Sequence, residues 1–333
     1  MKYRQMFLFV ALLGIGVILV ALTLSLGSVS IPFSALLQSL LGSERVSEEW
    51  RVIVMELRFP RALTAFFAGG ALSVSGLGMQ TLFQNPLAGP FILGINGGAS
   101  LGVAMATLIA GSLANVGLAG AAWLGSCLIM MAMLAVAGKI KDNTTLLILG
   151  LMFGYAVSAL VSVLIHFSTP ERIQQFVAWS FGSFSSVSWG QLSLLVPASI
   201  LGSGAAFIMA KPLNALLLGE SYASTMGVPV KRVRILLIAL TSFLAGSVTA
   251  FCGPIAFLGV AVPHLCRGAF KSADHRFLVP ACALVGGNLA LCADFIAHVP
   301  GSSIVLPLNA VTSLIGAPVV VWVVFRSRRK EEM

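Results

Sequence analysis

The sequence predicts an all-α fold: a polytopic membrane protein of about ten transmembrane helices, some of them short or broken. Three observations predict it. Only 9% of the 333 residues are Asp, Glu, Lys or Arg, against roughly 25% in an average soluble domain. Hydrophobic residues make up 58%, and the mean hydropathy is +1.00. Long stretches carry no ionisable side chain at all. A water-soluble fold of this size could not keep so much apolar surface from water. The 34 glycines suit helices that approach closely in lipid, where no hydrophobic force acts between them.

Each span follows from a charge-free stretch, since about 20 apolar residues cross the hydrocarbon. Met6 to Leu26 gives the first. The segment from Ala62 to Gly138 runs 77 residues without one Asp, Glu, Lys, Arg or His, room for three spans. Breaks are expected at Asn85-Pro86…Gly89-Pro90 and at Gly111 to Asn115. Asn143 to Pro170 gives one more. Ile173 to Ala210 holds a span plus a short lateral helix. Ile235 to Cys266, interrupted by Gly253-Pro254, gives one full and one short span. Phe277 to Phe325, interrupted around Val299-Pro300-Gly301, gives the last two. The first apolar run exceeds the 7–15 residues usual for a secretory signal, so a retained span is expected there.

Charge orients the chain. With ten spans both termini share a side, and a cytoplasmic placement puts 15 of the 20 basic residues inside. Lys139, Lys141, Lys211, Lys231, Arg232 and Arg234 are among them, as are Arg326, Arg328, Arg329 and Lys330. The net charge of +9 is then a positive-inside bias, and nucleic acid is not implied. Arg45, Arg51, Arg58, Arg61 and Arg172 are left outside.

Catalysis and cofactor binding find little support. The five cysteines form no C-x-x-C pair and read as small buried hydrophobes. The four histidines have no metal-ligand spacing, and no Gly-rich nucleotide signature occurs. No metal, cofactor or enzymatic activity is expected. Asp294 is the one acidic residue well inside a span, where a charge costs about 2.5–3.5 kcal/mol on insertion scales. It is either a proton site or a satisfied contact with His298 one helical turn later.

Two features suggest a solute pathway. Gly89-Pro90-Phe91-Ile92-Leu93-Gly94 is echoed by Gly253-Pro254-Ile255-Ala256-Phe257-Leu258-Gly259, each opening a short span from opposite faces. Such pairs mark inverted repeats with interrupted helices, although Gly-Pro also stands at ordinary helix boundaries. The inside loop Lys211 to Arg234 reads as two short helices hinged at Gly219, the second ending at Gly227. A short amphipathic element there either rests on lipid headgroups or docks into a partner.

That loop, Leu213-Asn214-Ala215-Leu216-Leu217-Leu218-Gly219 through Ala223, Met226, Gly227 and Val228, resembles the coupling segment of ABC importer permeases for ferric siderophores, haem and cobalamin. Leu57-Arg58-Phe59-Pro60-Arg61 resembles that family's opening of the second span. Gly76 through Ala99, with Gln80 and Gln84-Asn85-Pro86-Leu87-Ala88, is similar to a further block. So are Gly253 to Gly259 with Val262-Pro263-His264, then Asp274-His275-Arg276, and finally Leu314-Ile315-Gly316-Ala317-Pro318. The blocks stand in order over about 260 residues. Two departures lie near the outer mouth. Val305-Leu306-Pro307-Leu308-Asn309 replaces the family's E-L-P-x-G, and His298 stands where an arginine is common.

The resemblance implies a single permease domain over 1–333 with its coupling segment at about 211–234. It implies a multi-pass protein of the bacterial cytoplasmic (inner) membrane, both termini cytoplasmic, in contact with membrane lipid. The implied partners are a second permease copy as a homodimer, two cytoplasmic ATPase subunits, and a soluble or lipid-anchored binding protein. ATPase coupling falls on Leu218, Gly219, Glu220, Ala223, Met226 and Gly227. The pathway gate falls on Asn85, Leu87, Asn143 and Thr144, for which turn and helix-cap chemistry is the plainer alternative. Binding-protein docking falls on Arg58, Arg61 and His298, the two arginines pointing outward from one lip of the pathway; snorkelling to lipid phosphates or pairing with Glu56 is the alternative. A stand-alone ion- or proton-coupled transporter using Asp294, or a non-transporting scaffold, are the other classes.

Overall fold

The computed structural model describes residues 2–42, 46–109, 115–140, 142–299, 301–302 and 304–331, with the backbone alone from 323 onward. Arg45, Lys141, Pro300 and most of the Gly111–Asn115 break lie outside the described residues. The side chains of Arg326, Arg328, Arg329 and Lys330 do too.

The chain opens with α1 (Lys2–Ser25), apolar on all sides, as a helix in lipid must be. Two short helices follow, α2 (Phe33–Leu40) and α3 (Glu48–Val52). The second runs through a π-helical turn (Ile53–Arg58) into α4 (Phe59–Leu82). Helix is therefore continuous over Glu48–Leu82, 35 residues, and begins well before the Leu57 start that the sequence suggests. The proline explains the turn. Pro60 has no N–H to give the preceding turn, and a π-helical turn absorbs the missing bond without ending the helix.

Then come α5 (Ile95–Ala104), which ends in a second π-helical turn (Met105–Ile109), and α6 (Asn115–Ala137). They are followed by α7 (Asn143–His166), the short α8 (Pro170–Ser180) and α9 (Trp189–Ile208). The expected lateral helix is α8, started by Pro170 at a position where its absent N–H costs nothing. Ser188 and Gln191 start α9 with a reciprocal capping box. Two short helices, α10 (Ala210–Leu216) and α11 (Glu220–Thr225), precede α12 (Val230–Cys252). The remaining elements are α13 (Leu258–Phe270), α14 (His275–Ala297) and α15 (Leu308–Glu331).

Seven helices are long and apolar enough to cross a membrane, and Ile95–Ile109 and Leu308–Trp322 are shorter apolar ones. With the broken α13, every span counted from the sequence has a helical counterpart. The protein is an all-α polytopic membrane protein.

The centre of the bundle is α4, whose middle turns are buried throughout. Small residues allow this. A Cβ on Gly76 would collide with the Gly259 carbonyl at the start of α13, so both helices must keep glycine where they cross. Polar side chains on α4 are satisfied locally or across helices: Thr64 donates to Pro60 O at 2.7 Å and Ser75 to Thr241 O at 3.0 Å. The two Pro/Gly breaks also meet. Gly259 lies directly against the Pro90 ring, leaving no room for a side chain. Because the breaks meet, the short helices after them do not start from opposite faces, the placement that the inverted-repeat reading expects.

Candidate functional site

At one end of the bundle, α10 and α11 form the hinged pair expected of residues 211–234. Gly219 sits between them at φ 100° and ψ 151°, a conformation open essentially only to glycine. Gly227 stops α11 at φ 80°, with the Val228 N–H returning to Ala223 O at 3.1 Å, a left-handed C-terminal cap. Ala223 is fully buried, while Leu218, Tyr222 and Met226 are 63%, 54% and 60% exposed. Within α11 one small side chain is buried and Tyr222 and Met226 turn outward, whereas α10 is anchored by buried Leu213 and Leu216.

The segment is tied to the rest of the bundle by polar contacts at three places. Asn214 at the middle of α10 donates to Asp274 Oδ1 at 2.6 Å and accepts from the His275 N–H at 2.9 Å. The His275 ring continues to Thr81 on α4, 2.8 Å away. Burial alone would raise the Asp274 carboxyl, but the Arg276 N–H, the Asn214 amide and the nearby positive charge outweigh it and hold it below the usual range. Second, Gln84 in the loop after α4 donates to Leu216 O at 2.8 Å.

The third tie joins the coupling residues to the gate residues. Glu220 at the start of α11 receives two 2.6 Å bonds from the Arg234 guanidinium on α12. Arg234 Nη1 also donates to Ile140 O at 3.0 Å. Asn143 uses its amide group twice, donating to Glu220 Oε1 at 2.9 Å and to Leu82 O, the last residue of α4, at 3.0 Å. Asp142 caps α7 by accepting from the Thr145 N–H at 2.7 Å, which holds Asn143 at the helix start. The other gate candidates sit nearby in chain order. Asn85 Oδ1 accepts from the Leu87 N–H at 2.9 Å, an Asx turn. Leu87 and Thr144 are exposed.

At the opposite end, Arg58 and Arg61 depart from the outward-pointing pair that the sequence predicts. Arg58 is only 5% exposed and donates to Leu24 O at 2.8 Å and Val29 O at 2.5 Å. Arg61 Nε lies 3.0 Å from Asp294 Oδ2, with both side chains largely buried. Because helix starts at Glu48 rather than near Leu57, both arginines lie on a formed helix that packs against α1 and α14 and turn inward. Glu56 is not their partner among the described contacts. His298 Nδ1 stands 3.3 Å from Asp294 Oδ1, and its Nε2 lies 3.1 Å from Ser185 Oγ. Asp294 thus stands against both Arg61 and His298 near a helix end.

Between the ends lies a cavity of about 580 Å³, opening between α5, α7 and α8. Asn96, Ser100, Tyr155, Ser158, Ser162 and Asn309 set polar, uncharged groups into an otherwise largely apolar lining. Asn309 is a residue whose role sequence reasoning missed, noting it only as a departure. Its Oδ1 accepts from the Ala256 N–H at 3.1 Å and its own N–H reaches Phe181 O at 3.0 Å. It thereby fastens the start of α15 to the Gly-Pro break and to α8. Arg172 was likewise legible only as a charge; it donates to Leu108 O at 2.9 Å, closing the free carbonyl end of the π-helical turn after α5. Gln84, Arg234 and Asn214 left no signal as site residues, because each acts through a partner between 14 and 132 positions away. Among the described residues no cluster of His, Cys, Asp or Glu could hold a metal ion.

Known proteins agree with this architecture. The model of the FecCD transport family matches residues 14–326. The vitamin B12 import system permease protein BtuC of Klebsiella pneumoniae subsp. pneumoniae is 37% identical over 286 residues, 86% of each chain. The protein of the same name from Escherichia coli O9:H4 is 36% identical over 282 residues, 84% of this chain and 85% of that one. Among solved structures, a metal-chelate type ABC transporter in an inward-facing conformation superposes with a TM-score of 0.85 at 28% identity, covering 96% of this chain and 99% of that one. PsaBC from Streptococcus pneumoniae, in complex with Fab, shares the fold with a TM-score of 0.55 at 18% identity, over 79% of this chain and 89% of its own. With the family model matching nearly end to end, the chain belongs to the FecCD transport family.

Proposed function

We propose that this chain is the transmembrane permease subunit of an ATP-driven, binding-protein-dependent importer for a bulky metal chelate: a ferric siderophore, haem or cobalamin. The observation that carries the proposal is the coupling segment, which exposes Leu218, Tyr222 and Met226 at one end of the bundle while its Glu220 is bonded to Asn143. Exposed apolar side chains on a short, firmly seated helix suit a protein groove. Cobalamin permeases and a metal-chelate transporter are what the similar proteins are named for.

In this proposal the protein sits in the bacterial inner membrane with both termini cytoplasmic, which puts the coupling segment inside with most of the basic residues. Two copies form the pathway, their uncharged cavities facing one another. Two ATPase subunits receive the coupling segments. A binding protein docks at the opposite end, where Arg61 and His298 keep 12% and 18% of their side-chain surface. Burial of Arg58 leaves it a structural part there, not a contact.

The test is uptake of labelled cobalamin, haem and ferric hydroxamate by cells expressing the chain with its binding protein and ATPase. Accumulation of one of them, lost when the ATPase is made unable to hydrolyse ATP, is expected. ATP-independent accumulation, or accumulation of none, would contradict the proposal.

A further inference from the structure

We propose that Arg234, Glu220 and Asn143 form a clasp that carries movement of the coupling segment to the gate loop after α4; this inference rests on the importer reading above. Arg234 and Asn143 are positioning residues in it. The geometry makes the case. Glu220 is the first residue of α11, directly after the Gly219 hinge, so any swing of α11 about that hinge displaces its carboxylate. The carboxylate is held from one side by Arg234 at 2.6 Å and from the other by Asn143 at 2.9 Å. The Asn143 amide then passes the displacement to Leu82 O at 3.0 Å. Leu82 ends α4, and the next residues are the loop that contains Asn85 and Leu87.

Both protons of the Asn143 amide are in use, one to each side, so the side chain works as a bridge. A helix end offers free carbonyls, and Leu82 O is one of them; pulling on it moves the loop without breaking the bonds inside α4. Arg234 keeps the bridge aligned. Its side chain is nearly buried, at 6% exposure, and its Nη2 donates to both Glu220 carboxylate oxygens while Nη1 is held by Ile140 O. Without that contact, Glu220, 31% exposed, could turn toward water and release Asn143. The Gln84 bond to Leu216 O gives the loop a second attachment to the same segment, on the other side of the hinge. Movement at Gly219 therefore acts on the loop from two points that shift relative to each other.

The experiment uses the permease co-purified with its ATPase. The five native cysteines are replaced and a single thiol is introduced by Leu87→Cys, a position 45% exposed. Its rate of reaction with a methanethiosulfonate is measured without nucleotide and with ATP plus orthovanadate. The parent should show a rate change of about fivefold or more, within the range of coupling between contacting residues. Asn143→Asp is nearly isosteric but removes both donors and places a carboxylate against Glu220; it should abolish the nucleotide-dependent change. Adding Glu220→Gln returns a donor to that contact but none to Leu82 O, so the double variant should still lack the nucleotide-dependent change. Arg234→Met should behave as the Asn143→Asp variant does, which keeps the test open if either variant fails to assemble. A change that survives Asn143→Asp or Arg234→Met would overturn the clasp and leave the importer reading intact. Absence of any co-purifying ATPase would overturn both.

Discussion

Arg61 and Asp294 set opposite charges 3.0 Å apart inside an apolar bundle, where removing one partner leaves the other buried and unpaired. Breaking such a pair typically costs about 3–5 kcal/mol, whereas replacing both partners by apolar groups is often neutral. Asp294→Asn should therefore lower the unfolding temperature of the detergent-solubilised protein clearly, and Asp294→Leu combined with Arg61→Met should recover most of the loss. A coupling carboxylate would behave differently: Asp294→Asn would abolish transport and leave stability unchanged, which would revive the stand-alone transporter. At this scale the sequence was partly legible. His298 one turn from Asp294 reads directly from the helical period. The Arg61 partnership does not, because it joins α4 to α14 across more than two hundred positions. The inward turn of Arg58 depends on carbonyls at the end of α1 and in the loop after it, which no local pattern reports.

The hinge between α10 and α11 shows what elements reveal. Gly219 was legible because a glycine between two short apolar periods has few other uses, and its φ of 100° is out of reach for proline, fixed near −65°. Gly219→Pro should uncouple ATP hydrolysis from uptake while the protein still reaches the membrane; normal uptake by that variant would remove the hinge from the mechanism. The Asn214–Asp274 attachment of this segment adds a pH dependence. Asp274 is held below the ordinary carboxylate value, near 3.9, so its contribution to stability is present above that value and is lost as pH falls through the lower folded value. The stability difference between the parent and Asp274→Asn, followed by thermal unfolding, should be constant from neutral pH to about pH 5 and shrink at more acid pH. A difference that grows on acidification would reverse the assignment. Less legible were α2, α3 and the π-helical turn before Phe59. They lie in a charged loop with no clear period, and the proline at 60 suggests a helix start where the chain only shifts its hydrogen-bond register.

For the molecule as a whole, the count of spans was legible from the charge-free runs alone, since lipid leaves the backbone few ways to satisfy its polar groups. The Gly-Pro breaks at 89–90 and 253–254 marked where helices are interrupted, but not that Pro90 and Gly259 would meet. Contacts of that kind depend on which helices neighbour each other, and composition does not encode neighbours. The clasp lies beyond sequence reading for the same reason: Asn143, Glu220 and Arg234 belong to three different helices. At this scale residues 211–234 are proposed to face a separate ATPase in the cytoplasm. Cross-linking from a cysteine at Met226, in a chain whose native cysteines have been replaced, addresses this most directly. The predicted result is a covalent adduct with the co-purifying ATPase subunit, and no labelling at 226 by an impermeant thiol reagent in intact cells, while a cysteine at Glu48 is labelled. Labelling at 226 from outside, with no ATPase adduct, would contradict the account.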